Sequence, residues 1–195
     1  MARGKTQQSV LIVSSSIKIF DYFKALLPSS SFGPIAYAAT AADAWRITLS
    51  QPYDIVIINC PLPDQQGKDL AIELTSQQPC AVMLMVKGDK YESIVYETED
   101  YGILTLMKPC PRASIYQAVR LMASTSSRIR RSAKKVKILE DKIDELRIVN
   151  RAKLELISRM KVSEDEAHKY IEKIAMDMRI TRRQVAEQLL KVWED

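Results

Sequence analysis

The sequence has little of what most enzymes and metalloproteins require. Among 195 residues it contains one histidine, His168, and three cysteines, Cys60, Cys80 and Cys110. Three widely spaced cysteines do not form a disulfide framework, and one histidine is too few for a Cys/His zinc site. His168 also lies far along the chain from every cysteine, so a Cys/His or Ser/His catalytic pair is not expected. We therefore predict no catalytic residues, no metal ligands and no cofactor, and we expect the cysteines to be buried thiols.

Long apolar runs are also absent. No stretch approaches about 18 consecutive uncharged apolar residues, the length that crosses a membrane as a helix. The first eight residues lack the apolar run of a signal peptide. Five glycines and eight prolines are too few for a collagen-like or low-complexity chain, and 47% hydrophobic with 27% charged residues is typical of globular proteins. We expect a cytoplasmic protein without a membrane partner, built from one standard domain and a smaller module.

Positive charge is unevenly distributed along the chain. Residues 1–123 hold 11 basic and 11 acidic side chains, whereas residues 124–195 hold 18 and 13, so the net charge of +5 lies in the second part. We call residues 128–137 the basic segment, which has no acid and six cations: Arg128, Arg130, Arg131, Lys134, Lys135 and Lys137. Such a concentration is typical of a surface that binds a polyanion, and a solvated helix face would show the same pattern.

Five pairs of a strand followed by a helix are predicted in the first 123 residues. The strands are 10–13, 35–39, 54–58, 81–86 and 102–107, and the helices are 17–27, 41–49, 68–74, 91–97 and 112–122. Strands that are apolar on both faces, such as 55–58 and 82–86, are expected in a parallel sheet covered by helices on both sides. The predicted fold class is therefore α/β, with a doubly wound parallel five-stranded sheet. A ligand site is expected at the carboxyl ends of the strands.

Residues 8–123 resemble a response-regulator receiver domain, which implies a receiver/flavodoxin-like fold. The resemblance rests on Asn59-Cys-Pro-Leu-Pro63 followed by Gly67 after the third strand, and on Lys108-Pro109 after the fifth. A working receiver has an acidic pair after the first strand, a phosphate-accepting aspartate after the third and a hydroxyl residue after the fourth. The corresponding residues here are Ser14 with Ser15, Asn59 and Val86, and Lys108 alone is kept.

These replacements predict a degenerate phosphoacceptor pocket. Magnesium requires several anionic oxygens, which serines and an amide do not provide. An amide cannot form an acyl phosphate, and the Val86 side chain cannot donate a hydrogen bond to a phosphoryl oxygen. We therefore predict a pseudo-receiver over residues 1–123 that binds no magnesium and accepts no phosphoryl group. For Lys108 we expect a neighbouring acid or solvent as the partner.

Apolar residues follow a heptad repeat from residue 129 onward. One set of positions holds Ile129, Val136, Ile143 and Asn150, and the other holds Leu139 and Leu146. Branched residues at the first set with leucine at the second favour a parallel two-stranded coiled coil, and a buried asparagine would fix its register. We predict a coiled-coil linker over residues 124–150 that forms a homodimer. The alternative is that this stripe packs on the receiver or on the C-terminal helices of the same chain.

A small three-helix domain is predicted over residues 151–195. Ser163-Glu-Asp-Glu166 and Thr181-Arg-Arg-Gln184 are capping boxes, so two helices begin there. The predicted apolar faces are Leu154, Ile157 and Met160 on the first helix; Ala167, Tyr170, Ile171, Ile174 and Met178 on the second; and Val185, Ala186, Leu189 and Trp193 on the third. Because Tyr170 and Trp193 recur among aliphatic residues at helical spacing, we interpret them as core residues rather than as platforms for stacking on bases.

Residues 147–190 resemble an ANTAR domain, the RNA-binding output module of transcription antiterminators. The matching positions are Arg151-Ala-Lys153, Ser163 through Ala167, Ala175-Met176, Arg179 and Val185-Ala186. Two positions depart from the family: Leu154 replaces a frequent glycine, and Glu172 stands where arginine is common. The resemblance implies binding of paired RNA hairpins in a leader transcript, which prevents a terminator from forming.

Five residues are predicted to bind RNA: Arg151, Lys153, Arg179, Arg182 and Arg183. Such cations neutralise phosphates and release counterions, while side chains recognise the bases of RNA loops. Lys153 and Arg179 match family positions. Arg182 and Arg183 open the third helix, where free backbone N–H groups would add phosphate contacts. Each of the five would also be explained as an exposed salt-bridging residue.

These features together predict a phosphorylation-independent antitermination regulator rather than an enzyme. Its control would come from a regulatory protein partner, a ligand on the receiver, or the monomer–dimer equilibrium. Two alternatives remain open. A DNA-binding regulator would use residues 181–193 as a recognition helix. A protein-interaction scaffold of a two-component-like system would use the heptads to hold a partner.

Overall fold

The computed structural model describes residues 7–194, and the chain divides into two compact units between residues 133 and 134. The first unit holds five strands, four complete helices and the start of a fifth: β1 (Gln8–Val13), α1 (Ile17–Leu26), β2 (Phe32–Ala38), α2 (Ala41–Ser50), β3 (Ile55–Asn59), α3 (Lys68–Gln77), β4 (Ala81–Lys87), α4 (Tyr91–Thr98), β5 (Leu104–Lys108) and α5 (Arg112–Met160). Short 3-10 turns at Gly88–Lys90 and Glu99–Tyr101 flank α4. The second unit holds the rest of α5, then α6 (Glu164–Met178) and α7 (Arg182–Glu194).

The five strands form one parallel sheet in the order β2-β1-β3-β4-β5. Alternate residues along each strand enter different cores. Leu11, Val56 and Leu84 pack with α2 and α3 residues, whereas Ile12 and Ile57 pack with residues of α1 and α5. Both faces of the sheet are therefore buried under helices, which confirms the predicted doubly wound α/β fold.

Helix α5 runs without interruption from Arg112 to Met160. No glycine or proline occurs within these 49 residues, so nothing in the local sequence stops the helix. It thus contains the last helix of the doubly wound fold, the predicted linker and the first helix of the C-terminal domain. The boundaries placed after residues 123 and 150 both lie inside it and stay predictions.

The second unit has a small core formed by three helices. Its buried residues are Val149, Ala152 and Leu156 from α5, Ala167, Ile171 and Ala175 from α6, and Val185 and Ala186 from α7. Both capping boxes are present. Ser163 Oγ accepts from the Glu166 N–H while the Glu166 carboxylate accepts from the Ser163 N–H. Thr181 and Gln184 make the equivalent pair of bonds.

The predicted apolar faces of this unit are wrong at four positions. Leu154 and Met160 are 67% and 53% exposed, because α5 presents Val149, Ala152 and Leu156 to the core instead. On α6, Tyr170 and Met178 are 41% and 56% exposed. Trp193 is half-buried against the core, with the Arg159 guanidinium 5.5 Å from its ring centroid.

The structure describes all three cysteines and every helix of residues 7–194. Cys60 and Cys80 are buried free thiols as expected, whereas Cys110 is half-buried. No helix within residues 7–194 is long and apolar enough to cross a membrane.

Candidate functional site

The carboxyl edge of the sheet brings the predicted pocket residues into one region. Ser14 follows β1, Asn59 ends β3, and Lys108 ends β5, next to β4 in the register that pairs Lys87 with Lys108. Ser14 is fully buried and Ser15 is exposed. Val86 is buried in the core of the sheet.

Three of these residues form a hydrogen-bonded chain that we call the edge network: Ser14, Asn59 and Lys108. The Lys108 ammonium donates to Asn59 Oδ1 at 2.8 Å and to the Cys60 carbonyl oxygen at 2.5 Å. Asn59 Nδ2 in turn donates to Ser14 Oγ at 3.1 Å, and that hydroxyl oxygen also accepts from the Ser16 N–H at 3.2 Å. Apart from the Lys108 ammonium, the groups of the edge network are therefore neutral, and none of its members is a carboxylate.

The carboxylate nearest in sequence to Asn59 after β3 has a structural role. Asp64 accepts hydrogen bonds from the backbone N–H groups of Ala41 and Ala42, both at 3.0 Å. These are the first two residues of α2, so Asp64 caps that helix where the helix dipole favours a negative charge. The same two bonds hold the pKa of Asp64 below its ordinary value. Within residues 7–194, no cluster of three or more His, Cys, Asp or Glu side chains is placed to hold a metal ion.

Lys108 is held in an unusual electrostatic setting. Its partners are an amide and a carbonyl oxygen, instead of the acid or solvent that the sequence led us to expect. Burial lowers the pKa of Lys108, and the nearby Lys87 ammonium lowers it further. Burial also raises the pKa of the Cys60 thiol to about 11, so this thiol stays protonated at neutral pH.

Gly67 holds the start of α3 against the edge of the sheet. It precedes α3 with φ of 87°, a left-handed conformation that favours glycine. A Cβ atom at this position would lie 2.8 Å from Cys60 Sγ and 3.0 Å from Ile58 Cγ2. The glycine in the receiver-like motif is thus explained by backbone conformation and close packing.

Most of the predicted RNA-binding cations are paired with acids in the second unit. Lys153 donates to Glu164 at 2.9 Å, and its side chain is only 14% exposed. Arg183 pairs with Glu187 at 2.8 Å, which raises the pKa of the arginine.

Of the remaining predicted cations, Arg182 lies near Glu172 and Arg179 lies at the end of α6. Arg182 lies 3.4 Å from Glu172 and 3.9 Å from Glu145. Arg179 ends α6 in a left-handed conformation, with φ of 53°, and its exposed side chain makes no ion pair within residues 7–194. Arg151 is exposed on α5.

The outer face of α6 was missed by the sequence analysis. Lys169 and Lys173 are exposed one turn apart and make no ion pair within the described part of the chain. Tyr170 lies between them, is partly exposed, and is not part of the hydrophobic core. The signal that could have found this face was the i, i+4 spacing of the two lysines on the side opposite Ala167 and Ile171.

The basic segment and the heptad residues are exposed on α5. Arg130 pairs with Asp54 of the first unit at 2.6 Å, whereas the other five cations of the basic segment make no ion pair within residues 7–194. We call the following four residues the heptad seam, and each is 50% to 60% exposed: Val136, Leu139, Ile143 and Leu146. Asn150 is exposed as well, and Ile129 is half-buried in the first unit.

The first unit is similar in structure to known receiver domains. The first unit has the receiver fold. It superposes on the signal receiver domain of an HD domain-containing protein from Pseudomonas fluorescens Pf-5 with a TM-score of 0.59 and 22% identity, covering 67% of this chain and 97% of that one. A CheY-like receiver domain from Methanospirillum hungatei JF-1 gives a TM-score of 0.56 with 17% identity, covering 63% and 98%.

The C-terminal part matches a second family. Residues 138–190 match the ANTAR domain. Over 191 residues the chain is 25% identical to the transcriptional regulatory protein PdtaR of Mycobacterium tuberculosis, covering 97% of this chain and 93% of that protein. The chain thus combines a receiver fold with an ANTAR domain, which is the architecture of an ANTAR response regulator, and it is similar over most of its length to a transcriptional regulatory protein.

Proposed function

We propose that this protein is a phosphorylation-independent antitermination regulator of the cytoplasm, which binds RNA hairpins in leader transcripts as a homodimer. In this proposal residues 1–123 are a pseudo-receiver, residues 124–150 are a coiled-coil linker, and residues 151–195 are the RNA-binding domain. The observation that carries the proposal is that five cations of the basic segment make no ion pair within residues 7–194, in a chain whose residues 138–190 match the ANTAR domain, a family that implies a nucleic-acid partner. Unpaired cations on a helix attract the phosphate backbone and release counterions when it binds.

The paired cations of the second unit remain candidates for RNA contact. Exposed ion pairs such as Arg183 with Glu187 contribute only about 0–1 kcal/mol, so a phosphate can replace the carboxylate at little cost. Arg179 makes no ion pair within the described residues, so a phosphate would not have to displace a carboxylate from it. Lys153 is less accessible, and it would contact RNA only if it released Glu164.

The edge network, which contains no carboxylate, supports independence from phosphorylation. Asn59 offers no carboxylate to a phosphoryl group, and Lys108 already donates to its amide oxygen. A switch in this unit would then depend on a ligand, a regulatory protein partner or dimerisation, each of which must bind two states unequally to shift their populations.

RNA binding by the second unit can be tested with a double substitution. Lys153→Ala with Arg179→Ala should weaken binding to a leader hairpin about tenfold and flatten its salt dependence, because two cations proposed to contact phosphate in the complex are lost. Fluorescence anisotropy at several salt concentrations measures both effects. The control, Lys18→Ala with Arg120→Ala, removes one lysine and one arginine from exposed positions of the first unit and should bind as the parent chain does.

Circular dichroism would show whether the helices of the variant are intact. Equal affinity of variant and parent would remove Lys153 and Arg179 from the proposed site. A parent chain that binds duplex DNA better than hairpins would favour the DNA-binding alternative. Weak binding without hairpin preference would favour the protein scaffold.

A further inference from the structure

A small cleft opens beside the edge network in the first unit. Its volume is about 140 Å³, and its walls include Cys60 and Gln66 after β3, Val86 at the end of β4, Lys87 and Lys90 around the following turn, and Ile94 of α4. The Lys90 ammonium donates to Gln66 Oε1 at 3.2 Å, which joins the two loops across the cleft. The cleft thus has an apolar floor and a polar rim.

Positive charge around this cleft exceeds negative charge. Lys87 and Lys90 lie on the rim, and Lys108 lies beside Lys87 in the strand register. Asp89 also lines the cleft, but it forms no ion pair within residues 7–194. The other nearby acids are engaged elsewhere: Asp64 caps α2, and Glu97 pairs with Lys68. Two lysines and one carboxylate therefore line the cleft, and a third lysine, Lys108, contacts the backbone of the lining residue Cys60.

The excess of positive charge is unfavourable for Lys108 in particular. A half-buried ammonium whose partners are neutral lacks the counter-charge that buried ions normally have. Lys87 adds a second positive charge, and both Lys87 and burial lower the pKa of Lys108. An anion near these two lysines would relieve the repulsion and favour the charged form of Lys108.

We infer that this cleft binds a small oxyanion, a phosphate or a short phosphate ester or carboxylate, without a metal ion. Its volume is well below the roughly 300–1,000 Å³ of sites for drug-sized ligands, so a nucleotide would not be enclosed. Lys87 and Lys90 would contact the anionic group, and Val86 and Ile94 would contact a short apolar portion. The cleft shares Val86 with the degenerate pocket, but Ser14, Ser15 and Asn59 do not line it. Its ligand would be an input signal that requires no phosphoryl transfer.

The inference can be tested by NMR titration of the full chain with inorganic phosphate. The solution contains EDTA, is held at constant ionic strength with sodium chloride, and is compared with a parallel titration with butyrate. We expect saturable shifts of the backbone amides around Cys60, Gln66 and residues 87–90. The pKa of the Lys108 ammonium, followed through its side-chain resonances, should rise when phosphate is present.

The double variant Lys87→Gln with Lys90→Gln should weaken phosphate binding at least tenfold. The matched control, Lys18→Gln with Lys24→Gln on α1, removes the same charge from the same unit and should leave binding unchanged. Stronger saturation by butyrate than by phosphate would assign the site to carboxylates within the proposed class. Shifts that rise linearly with either anion, or that are equal in the two double variants, would show a general salt effect and overturn the inference.

Discussion

Single residues decide whether the first unit can be phosphorylated. In the edge network an amide, a hydroxyl and an ammonium satisfy one another, with Lys108 donating to Asn59 and Asn59 donating to Ser14. Asn59 is therefore chemically unable to form an acyl phosphate, and both its amide oxygen and its amide nitrogen make a hydrogen bond. One acidic substitution would leave Ser14 and Ser15 neutral, so a magnesium ion would still lack the carboxylates it prefers.

Beryllofluoride or acetyl phosphate with magnesium should leave the protein unchanged. We expect no mass adduct in the intact protein and no displacement of the amide resonances of the edge network, because no carboxylate is present to bind either reagent. Asn59→Asp should behave in the same way, since it supplies one carboxylate only. A stable phosphoryl adduct on the first unit of the parent chain would contradict the pseudo-receiver proposal.

The sequence was sufficient to predict that the residues of the edge network lie at one edge of the sheet, and insufficient to identify what they contact. Ser14, Asn59 and Lys108 each follow a recognisable strand, so their common location at the sheet edge was predictable. The partner of Lys108 was not, because it depends on which oxygen lies within 3 Å after residues 49 positions apart are brought together.

Among the helices and strands, α5 is the element on which the proposed function depends most. Its basic segment starts in the first unit, where Arg130 pairs with Asp54 at the amino end of β3. Asp54 Oδ2 also accepts hydrogen bonds from the Ser9 N–H and hydroxyl, at 2.9 and 3.1 Å. Only 10% of the Asp54 side chain is exposed, so this ion pair attaches α5 firmly to the sheet and occupies one of the six predicted polyanion-binding cations.

Asp54→Ala should destabilise the first unit by about 1–3 kcal/mol in urea unfolding. The variant leaves the Ser9 N–H without its carboxylate acceptor and Arg130 without its carboxylate, and the partly exposed arginine keeps the loss below that of a fully buried pair. Amide hydrogen exchange should accelerate in residues 124–133.

Asp144→Ala provides the matched control. It removes an exposed i, i+3 pair with Arg147 on the same helix, and we expect a change below about 0.5 kcal/mol. If hydrogen exchange in residues 124–133 were unaltered in Asp54→Ala, the ion pair would not be what holds this part of α5.

The spacing of apolar residues along the chain predicted the helices and strands well. It predicted the buried faces of the second unit less well. The capping boxes at Ser163 and Thr181 were readable because capping depends on residues within one turn. The α5 face was misassigned because Leu154 and Met160 are more hydrophobic than Ala152. Burial there is decided by how closely α6 and α7 approach, which favours the small alanine.

At the scale of the whole molecule, the heptad seam is an apolar stripe exposed to solvent. All four of its side chains are exposed in the single chain, at spacings that form a continuous stripe along a helix. In the proposed dimer a second copy of the chain would cover them, and the number of domains proposed to bind RNA would double. Two linked domains bind paired hairpins far more tightly than either alone when both sites can be reached together.

Leu139→Ser with Ile143→Ser should convert the protein to a monomer, as measured by sedimentation equilibrium. These side chains are already exposed in the single chain, so the fold of the monomer and its helix content should be retained. Ile138→Ser is the matched control, because Ile138 is 45% exposed next to Leu139 but lies off the heptad positions. A parent chain that is monomeric at micromolar concentration, or equal dissociation of both variants, would contradict the coiled-coil dimer.

The sequence by itself determined the strands, the helices, their caps, the parallel α/β class and the loss of acidic residues from the pocket. These properties depend on residue types at fixed short spacings, which can be recognised in the sequence alone. Only the tertiary structure decided that Lys108 bonds to neutral oxygens, that Asp64 caps α2, that Arg130 is held by Asp54, and that Tyr170 lies outside the core. Each of these depends on distances between atoms far apart in the chain, which are fixed when the elements pack and not by the residues that flank them.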